Sequence, residues 1–407
     1  MLEHEPTLET YARRRFALAG SAITAHYPYC VPIEDLGIDG GTSSRVSFAH
    51  YDYLGLAADT RLRTAAAEAI VQFGVGAGAS RLVGGERALH RRFERELSDF
   101  LGVEDTLSLV SGYGANLSTV SHVLSRDDLL VIDEFVHNSI VTGSQLSRAQ
   151  CVTFAHNDLD DLTALLKARR KEFKRVLVVV EGLYSMDGDI PDLPRLIEIC
   201  RRHGAWLLID EAHSIGVLGA TGKGICEHFG IAPSEVDIIV GTLSKAFAGC
   251  GGFVAAKRPV IDWLRYTLPG FVYSVGMSPS AVATARTALE ILQLEPERLR
   301  RLRANSRLFA ELALERDLDI GTAAGAAVVP VAFSTIEQTI RAANVALEAG
   351  YFVPPIVQIA VPKNAPRLRF FITARHTRGE MTGVLDALAP IAKEKRPVWI
   401  DAAASIA

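Results

Sequence analysis

The residue in this chain with the clearest capacity for chemistry is Lys245. It sits in GTLSKAFAGCGG (241–252), a loop of glycines and small side chains between two strand-like runs. A Schiff-base lysine needs little bulk around it and a neutral amine, and this setting provides the room; a solvated loop lysine is the plain alternative. Asp210 closes the apolar run WLLID (206–210). A buried acid there suits pairing with a protonated pyridine nitrogen, or else the capping of a helix. His213, three residues on, is spaced to hydrogen-bond an oxygen of the same ligand. A D-x-x-H metal pair lacks a third ligand nearby.

Other polar residues follow apolar runs in the same way. Ser111, Gly112 and Tyr113 follow TLSLV (106–110), and Asp133 and His137 follow LLVID (129–133). Glu181, Gly182 and Ser185 follow VLVVV (176–180), and Thr242 and Ser244 follow DIIVG (237–241). Open α/β sheets bind ligands at the carboxyl ends of their strands, so these residues should gather at one sheet edge. Two other motifs fail. The DEAH string at 210–213 needs an upstream P-loop, but GATGKG (219–224) lies downstream, with Val217 and Gly224 at positions that require Gly and Ser or Thr. G-x-G-x-x-A within GVGAGASRLVGG (74–85) follows a helical pattern rather than a strand, so it reads as a turn.

The elements that must position these groups are short β-branched runs alternating with helical patterns. The runs named above, with CVTF (151–154) and GFVAA (252–256), read as buried strands. Helical stretches such as 159–171 and 193–203 lie between them, which implies a mostly parallel α/β sheet. Residues 61–73 and 88–101 read as helices before this core. After Ser278 a long helical region with the charged stretch 295–303 leads into a smaller α/β segment, with strands at 328–333 and 367–373 and helices at 335–349 and 379–392. The expected organisation is an N-terminal arm (1–50), a large domain (51–285) and a smaller C-terminal domain (286–407).

Composition narrows the class. The 43 Lys and Arg against 47 Asp and Glu leave a formal charge of −4, and 49% of residues are hydrophobic. That balance fits a globular chain and offers no electrostatic case for nucleic acid or an anionic membrane. Five scattered cysteines without a C-x-x-C pair argue against a disulfide framework. The charged N-terminus shows no signal-peptide core, and no apolar run reaches the roughly 18 residues of a membrane span. The expectation is a cytoplasmic protein.

Together the motifs are more specific than any one of them. YDYLGL (51–56), GASRLVGGERALHRRFERELSDFLG (78–102), SGYGAN (111–116), DEFVHNS (133–139), EGLYSMDGDIPDL (181–193), DEAHSIGVLG (210–219) and GTLSKAF (241–247) occur in this order. The chain resembles the α-oxoamine synthases, a family that includes 8-amino-7-oxononanoate synthases and serine palmitoyltransferases. The resemblance runs from about residue 10 to residue 395. It implies an aspartate-aminotransferase-like fold (fold type I) and pyridoxal 5'-phosphate (PLP) as cofactor. By motif position, Lys245 resembles the cofactor-binding lysine and Asp210 the partner of the pyridine nitrogen. His213 and Ser185 match contacts to the phenolic oxygen, and His137 the residue stacked on the ring. Gly112, Tyr113 and Thr242 match the phosphate site, with Ser274 serving the neighbouring subunit of a homodimer that shares its active sites. Arg369 matches the arginine that grips the substrate carboxylate, a task suited to a guanidinium.

The implied reaction is a decarboxylative Claisen condensation of Ala, Ser or Gly with an acyl thioester of coenzyme A or acyl carrier protein. A fold type I aminotransferase or aldolase-like lyase would use the same cofactor residues, and a non-catalytic partner subunit would usually lack the lysine. The chain departs from the family pattern at three places. Gly276 stands where a second hydroxyl is usual, and Tyr51 and Asp52 stand where an Asn is usual. The segment 353–366 is also longer than in the oxononanoate synthases. ARRRF (12–16) reads either as a contact for a carrier phosphate or as a solvated basic helix end.

Overall fold

The computed structural model describes residues 7–19, 45–356 and 366–393. Its centre is a seven-stranded sheet. The chain first forms β1 (Val46–Ser47), then β2 (Asp105–Leu109), β3 (Leu129–Asp133), β4 (Gln150–Phe154), β5 (Val176–Glu181), β6 (Trp206–Asp210), β7 (Ile238–Thr242) and β8 (Gly252–Ala256). The sheet order is β2-β8-β7-β6-β5-β3-β4. Pairing is parallel from β7 through β4, and β8 alone runs antiparallel to both its neighbours. The carboxyl ends of β2, β3, β5, β6 and β7 therefore share one edge, and the loop into β8 starts there too.

Val, Ile and Leu fill β3, β5 and β6 because helices cover both faces of the sheet, and every residue of β3 and β5 is buried. β4 corrects the sequence reading: Gln150, Cys151 and Thr153 are exposed. It is an edge strand with a partner on one side only, which apolar content alone does not reveal. The helical region after Ser278 is two helices, Pro279–Leu294 and Pro296–Leu314, separated at Glu295 because Pro296 supplies no backbone N–H.

A second apolar core forms around β9 (Val328–Ala332), β11 (Pro355–Ile356) and β12 (Arg367–Phe371), with β12 central in a three-stranded sheet. Phe48 packs into this core, and β1 pairs with β10 (Tyr351–Phe352), so residues near 46–48 are tied to the C-terminal part. The helix Leu8–Ala19 carries ARRRF, and its Arg13 pairs with Glu9 at 2.7 Å on an exposed face. Most of the 353–366 segment and most of the expected arm lie outside the described residues.

One buried ion pair braces the turn between the helices Thr60–Phe73 and Ala88–Leu101. The Arg81 guanidinium donates to both carboxylate oxygens of Glu94, to Ser108 Oγ at 3.1 Å and to Glu86 at 2.8 and 2.9 Å. The Arg81 and Glu94 side chains are each only 2% exposed. Removing one member of such a pair strands the other charge away from water. Arg81→Ala is expected to lower stability by about 3–5 kcal/mol, read as a shift in the urea midpoint; an unchanged midpoint contradicts the buried pairing.

Candidate active site

The shared strand edge opens into a cavity of ≈300 Å³. Lys245, Asp210, His213, His137, Ser185, Gly112, Tyr113, Thr242 and Arg369 all line it. Nine of the ten residues expected from sequence are thus brought together, the last of them by β12 of the second core. Ser274 does not line the cavity of its own chain.

Asp210 ends β6. Its Oδ1 accepts the Ala212 N–H at 2.9 Å, and its Oδ2 accepts from Asn116 Nδ2 at 2.6 Å. Glu181 ends β5 directly across from Asp210 in the parallel register. Burial, and then repulsion from Asp210, hold the Glu181 carboxyl well above its ordinary range. It accepts the Ser185 N–H at 3.0 Å, while its other oxygen is buried without a partner. The Glu181 carboxyl is thereby biased toward its neutral form.

Lys245 lies in the β7–β8 loop. Burial pushes its ammonium down to about 8, with Arg369 adding to the fall and Asp210 and Glu181 opposing it. The Tyr51 ring faces it, with the centroid 5.6 Å from Nζ. His213 is buried, and burial, with Lys245 and Arg369 nearby, holds it well below its usual value. Tyr53 stays a phenol, because burial raises it strongly. Its O–H lies 2.6 Å from His213 Nδ1, and donation there would place the imidazole proton on Nε2, toward the cavity. His137 caps the helix Asn138–Leu146; its Nδ1 accepts the Ser139 N–H at 3.2 Å, so Nε2 carries its proton as well.

The helix Gly112–His122 points its N-terminus at the cavity, capped by Ser111. Free N–H groups and the helix dipole at such an end favour a phosphate. Gly112 is close to Thr242: a Cβ there would lie 2.6 Å from Thr242 Oγ1. Gly112→Ala is expected to weaken PLP retention at least tenfold by displacing Thr242, a cost of about 1.4 kcal/mol, measured by equilibrium dialysis; unchanged retention removes the phosphate cradle from this position.

The departures now have physical reasons. Asp52 turns away from the cavity and accepts the Leu56 and Ala57 N–H groups at 2.7 and 3.0 Å. Gly276 is packed so that a Cβ would lie 2.9 Å from Arg81 Cγ, which leaves no room for a hydroxyl side chain. Sequence reasoning missed Asn116 and Tyr53 as partners of site residues and passed over Glu181. SGYGAN and YDYLGL contained the first two, but their contacts span 94 and 160 residues.

The cavity's donor set, with its phosphate-ready helix end, buried acid and neutral-leaning lysine, fits PLP. The fold and the site are those of class I and II aminotransferases, whose family model matches residues 44–388. Among curated relatives, an 8-amino-7-oxononanoate synthase from Thermoanaerobacter pseudethanolicus is 36% identical over 349 residues, covering 86% of this chain and 88% of its own. A serine palmitoyltransferase from Sphingobacterium spiritivorum is 35% identical, covering 90% and 92%. The solved Sphingomonas wittichii serine palmitoyltransferase aligns with a TM-score of 0.87 at 28% identity, covering 95% and 98%. A serine palmitoyltransferase structure holding PLP aligns at 0.81 with 32% identity, covering 85% and 87%. Within the aminotransferase-like enzymes of fold type I, this chain belongs to the α-oxoamine synthase family.

Proposed function

We propose that this enzyme is a PLP-dependent acyltransferase that condenses a small L-amino acid with an acyl thioester, releasing CO2 and free thiol and leaving an α-amino ketone. The observation that carries the reading is the meeting of Lys245, Asp210, His137 and Arg369 in one cavity, a lysine and an acid from the large sheet with an arginine from the second. Family membership favours it over an aminotransferase or lyase, and the retained Lys245 favours it over a non-catalytic subunit.

PLP, when bound, supplies an aldehyde that captures amines and a protonated ring that accepts electrons. The residues divide the remaining work. Lys245 Nζ would be the covalent attachment point and the base for the Cα proton. Asp210, held by Asn116 and the Ala212 N–H, keeps the pyridine nitrogen protonated. His213 and Ser185 serve the phenolic oxygen, the histidine through Nε2–H. His137 would lie against the ring and offer Nε2–H to the oxyanion that develops on the acyl carbon. The N–H groups of Gly112 and Tyr113, with Thr242, hold the phosphate. Arg369 grips the carboxylate. It now donates to Ser185 O at 3.0 Å, and its buried Nε has no partner, so one donor is ready for a carboxylate oxygen.

We also propose a homodimer. Leu82, Val83, Tyr273 and Val275 are exposed apolar side chains on adjoining segments, joined by the Gly276 N–H to Ala79 O bond of 3.0 Å. A second copy seated there would cover them and carry Ser274 toward the neighbouring phosphate. The arm, large-domain and small-domain division is proposed with boundaries near residues 50 and 285; the distinct core around the three-stranded sheet supports a second unit, while the first core includes Leu302 and Phe48 packs in the second. Among the described residues no helix is long and apolar enough to cross a membrane, and the free thiols of Cys151, Cys200, Cys226 and Cys250 fit a reducing cytoplasm. The test of the cofactor reading is the visible absorption of the protein mixed with PLP, before and after Gly, L-Ala or L-Ser. A yellow protein whose band shifts with one of these supports the reading; a colourless protein that stays so contradicts it.

A further inference from the structure

Outside the cavity one histidine is used on all its sides. His156 follows β4, and its Nδ1–H donates to Asp133 Oδ1 at 2.8 Å while its Nε2–H donates to Asp189 Oδ2 at 2.9 Å. Ionised carboxylates only accept, so both ring nitrogens carry protons and the ring is an imidazolium. Phe135 stacks on one face with centroids 4.4 Å apart, and the Tyr184 ring meets it edge-on at 4.5 Å. Asn157 completes the knot. Its N–H donates to Asp133 Oδ2 at 2.9 Å and its Nδ2 to Asp189 Oδ2 at 2.8 Å. To do so its backbone takes a φ of 55°, which asparagine tolerates better than most residues.

The partners of this ring come from two loops that feed the cavity. Asp133 ends β3, and Phe135 belongs to the loop that follows it and delivers His137. Tyr184 and Asp189 bracket the turn after β5, closed by the Tyr184 N–H to Asp189 O bond of 3.0 Å, and Ser185 lies inside that turn. His156 itself does not line the cavity. Burial alone would push its imidazole down, but the bonds to Asp133 and Asp189 outweigh burial and hold it up to about 10.

We propose that His156 is a positioning residue, whose doubly protonated ring clasps the β3 and β5 loops and so fixes His137 and Ser185 relative to one another. The inference deepens the reading of the cavity given above and rests on it. The clasp acts through those two side chains, so its loss should disturb the amino-acid end of the site and spare the thioester's carrier portion, for which neither side chain has a role.

The test compares the PLP-loaded wild type with His156→Gln and Asp189→Asn. His156→Gln removes the cation, and Asp189→Asn replaces an anionic acceptor with a neutral amide oxygen, which weakens one arm of the bridge. Gly, L-Ala and L-Ser are titrated against the visible band, the KM for a long-chain acyl-CoA is measured, and amide hydrogen exchange is followed in the cofactor-free proteins. Displacing reacting groups by about 1 Å can cost a hundredfold, so amino-acid binding is expected to weaken ten- to a hundredfold in His156→Gln, and less in Asp189→Asn. The thioester KM should stay unchanged, and exchange should rise together in both loops. A folded His156→Gln with wild-type amino-acid affinity and only a lowered Tm overturns the proposal. If that variant does not fold, wild-type affinity in Asp189→Asn overturns it. A wild type that responds to none of the three amino acids counts against the functional reading instead. The exchange data then decide the clasp alone, and faster exchange confined to Asn157 overturns it.

Discussion

Lys245→Ala is expected to cut turnover by more than about a thousandfold, because the residue combines covalent attachment with proton transfer at Cα, and proton transfer alone is worth about 10²–10⁴-fold. Its environment prepares it for both tasks. With the ammonium lowered to about 8, roughly a quarter of Lys245 is neutral at pH 7.5, against about 0.1% for a lysine at 10.5. Capture of an aldehyde needs the neutral amine. The rate of PLP uptake by the cofactor-free protein should therefore climb with pH and level off above about 8. A variant that retains a few per cent of turnover, or an uptake profile still rising through pH 10, contradicts the assignment. The burial that lowers this ammonium comes from the packed strand edge, so the effect belongs to the fold rather than to the loop sequence.

The second large effect falls on Asp210. Asp210→Asn keeps the side chain's shape but has one acceptor oxygen for the Ala212 N–H and Asn116 donors, and it cannot hold a proton on the pyridine nitrogen by charge. Losing a preorganised electrostatic contact of this kind costs about 10²–10³-fold in turnover. A control separates charge from shape: reconstitution with N-methylated PLP, whose ring keeps its positive charge without a partner, should restore part of the loss. Rescue to no extent, together with a normal structure, would assign Asp210 a packing role. Glu181 sharpens the expectation. It lies opposite Asp210 in the sheet, and burial, the larger cause that raises its carboxyl, persists in the variant, so it is a poor substitute for the missing charge.

The sequence carried the site more fully than the framework that supports it. Lys245, Asp210 and His213 stood out because each follows a β-branched run, and the rule that ligands bind at strand ends converts that local signal into a shared location. Arg369 needed the family resemblance, since it arrives on β12 from the second core. Long-range pairing was not legible. The register that sets Glu181 against Asp210, the bond from Asn116 and the burial of Arg81 against Glu94 all join residues that are distant in sequence or depend on packing. β4 was misjudged for the same reason: its composition matches a central strand, while its exposure follows from its place at the sheet edge. His156 gave no signal, because a histidine after a short strand is chemically ordinary until two aspartates from different loops are seen to face it.

The most direct test is a mass balance on the purified, PLP-loaded protein given one amino acid and one acyl thioester. CO2, free thiol and α-amino ketone are counted in the same sample. Equal amounts of all three, dependent on both substrates and lost in Lys245→Ala, are the predicted result. Amino transfer to a keto acid without CO2, or thiol release that does not require the amino acid, would contradict a decarboxylative condensation.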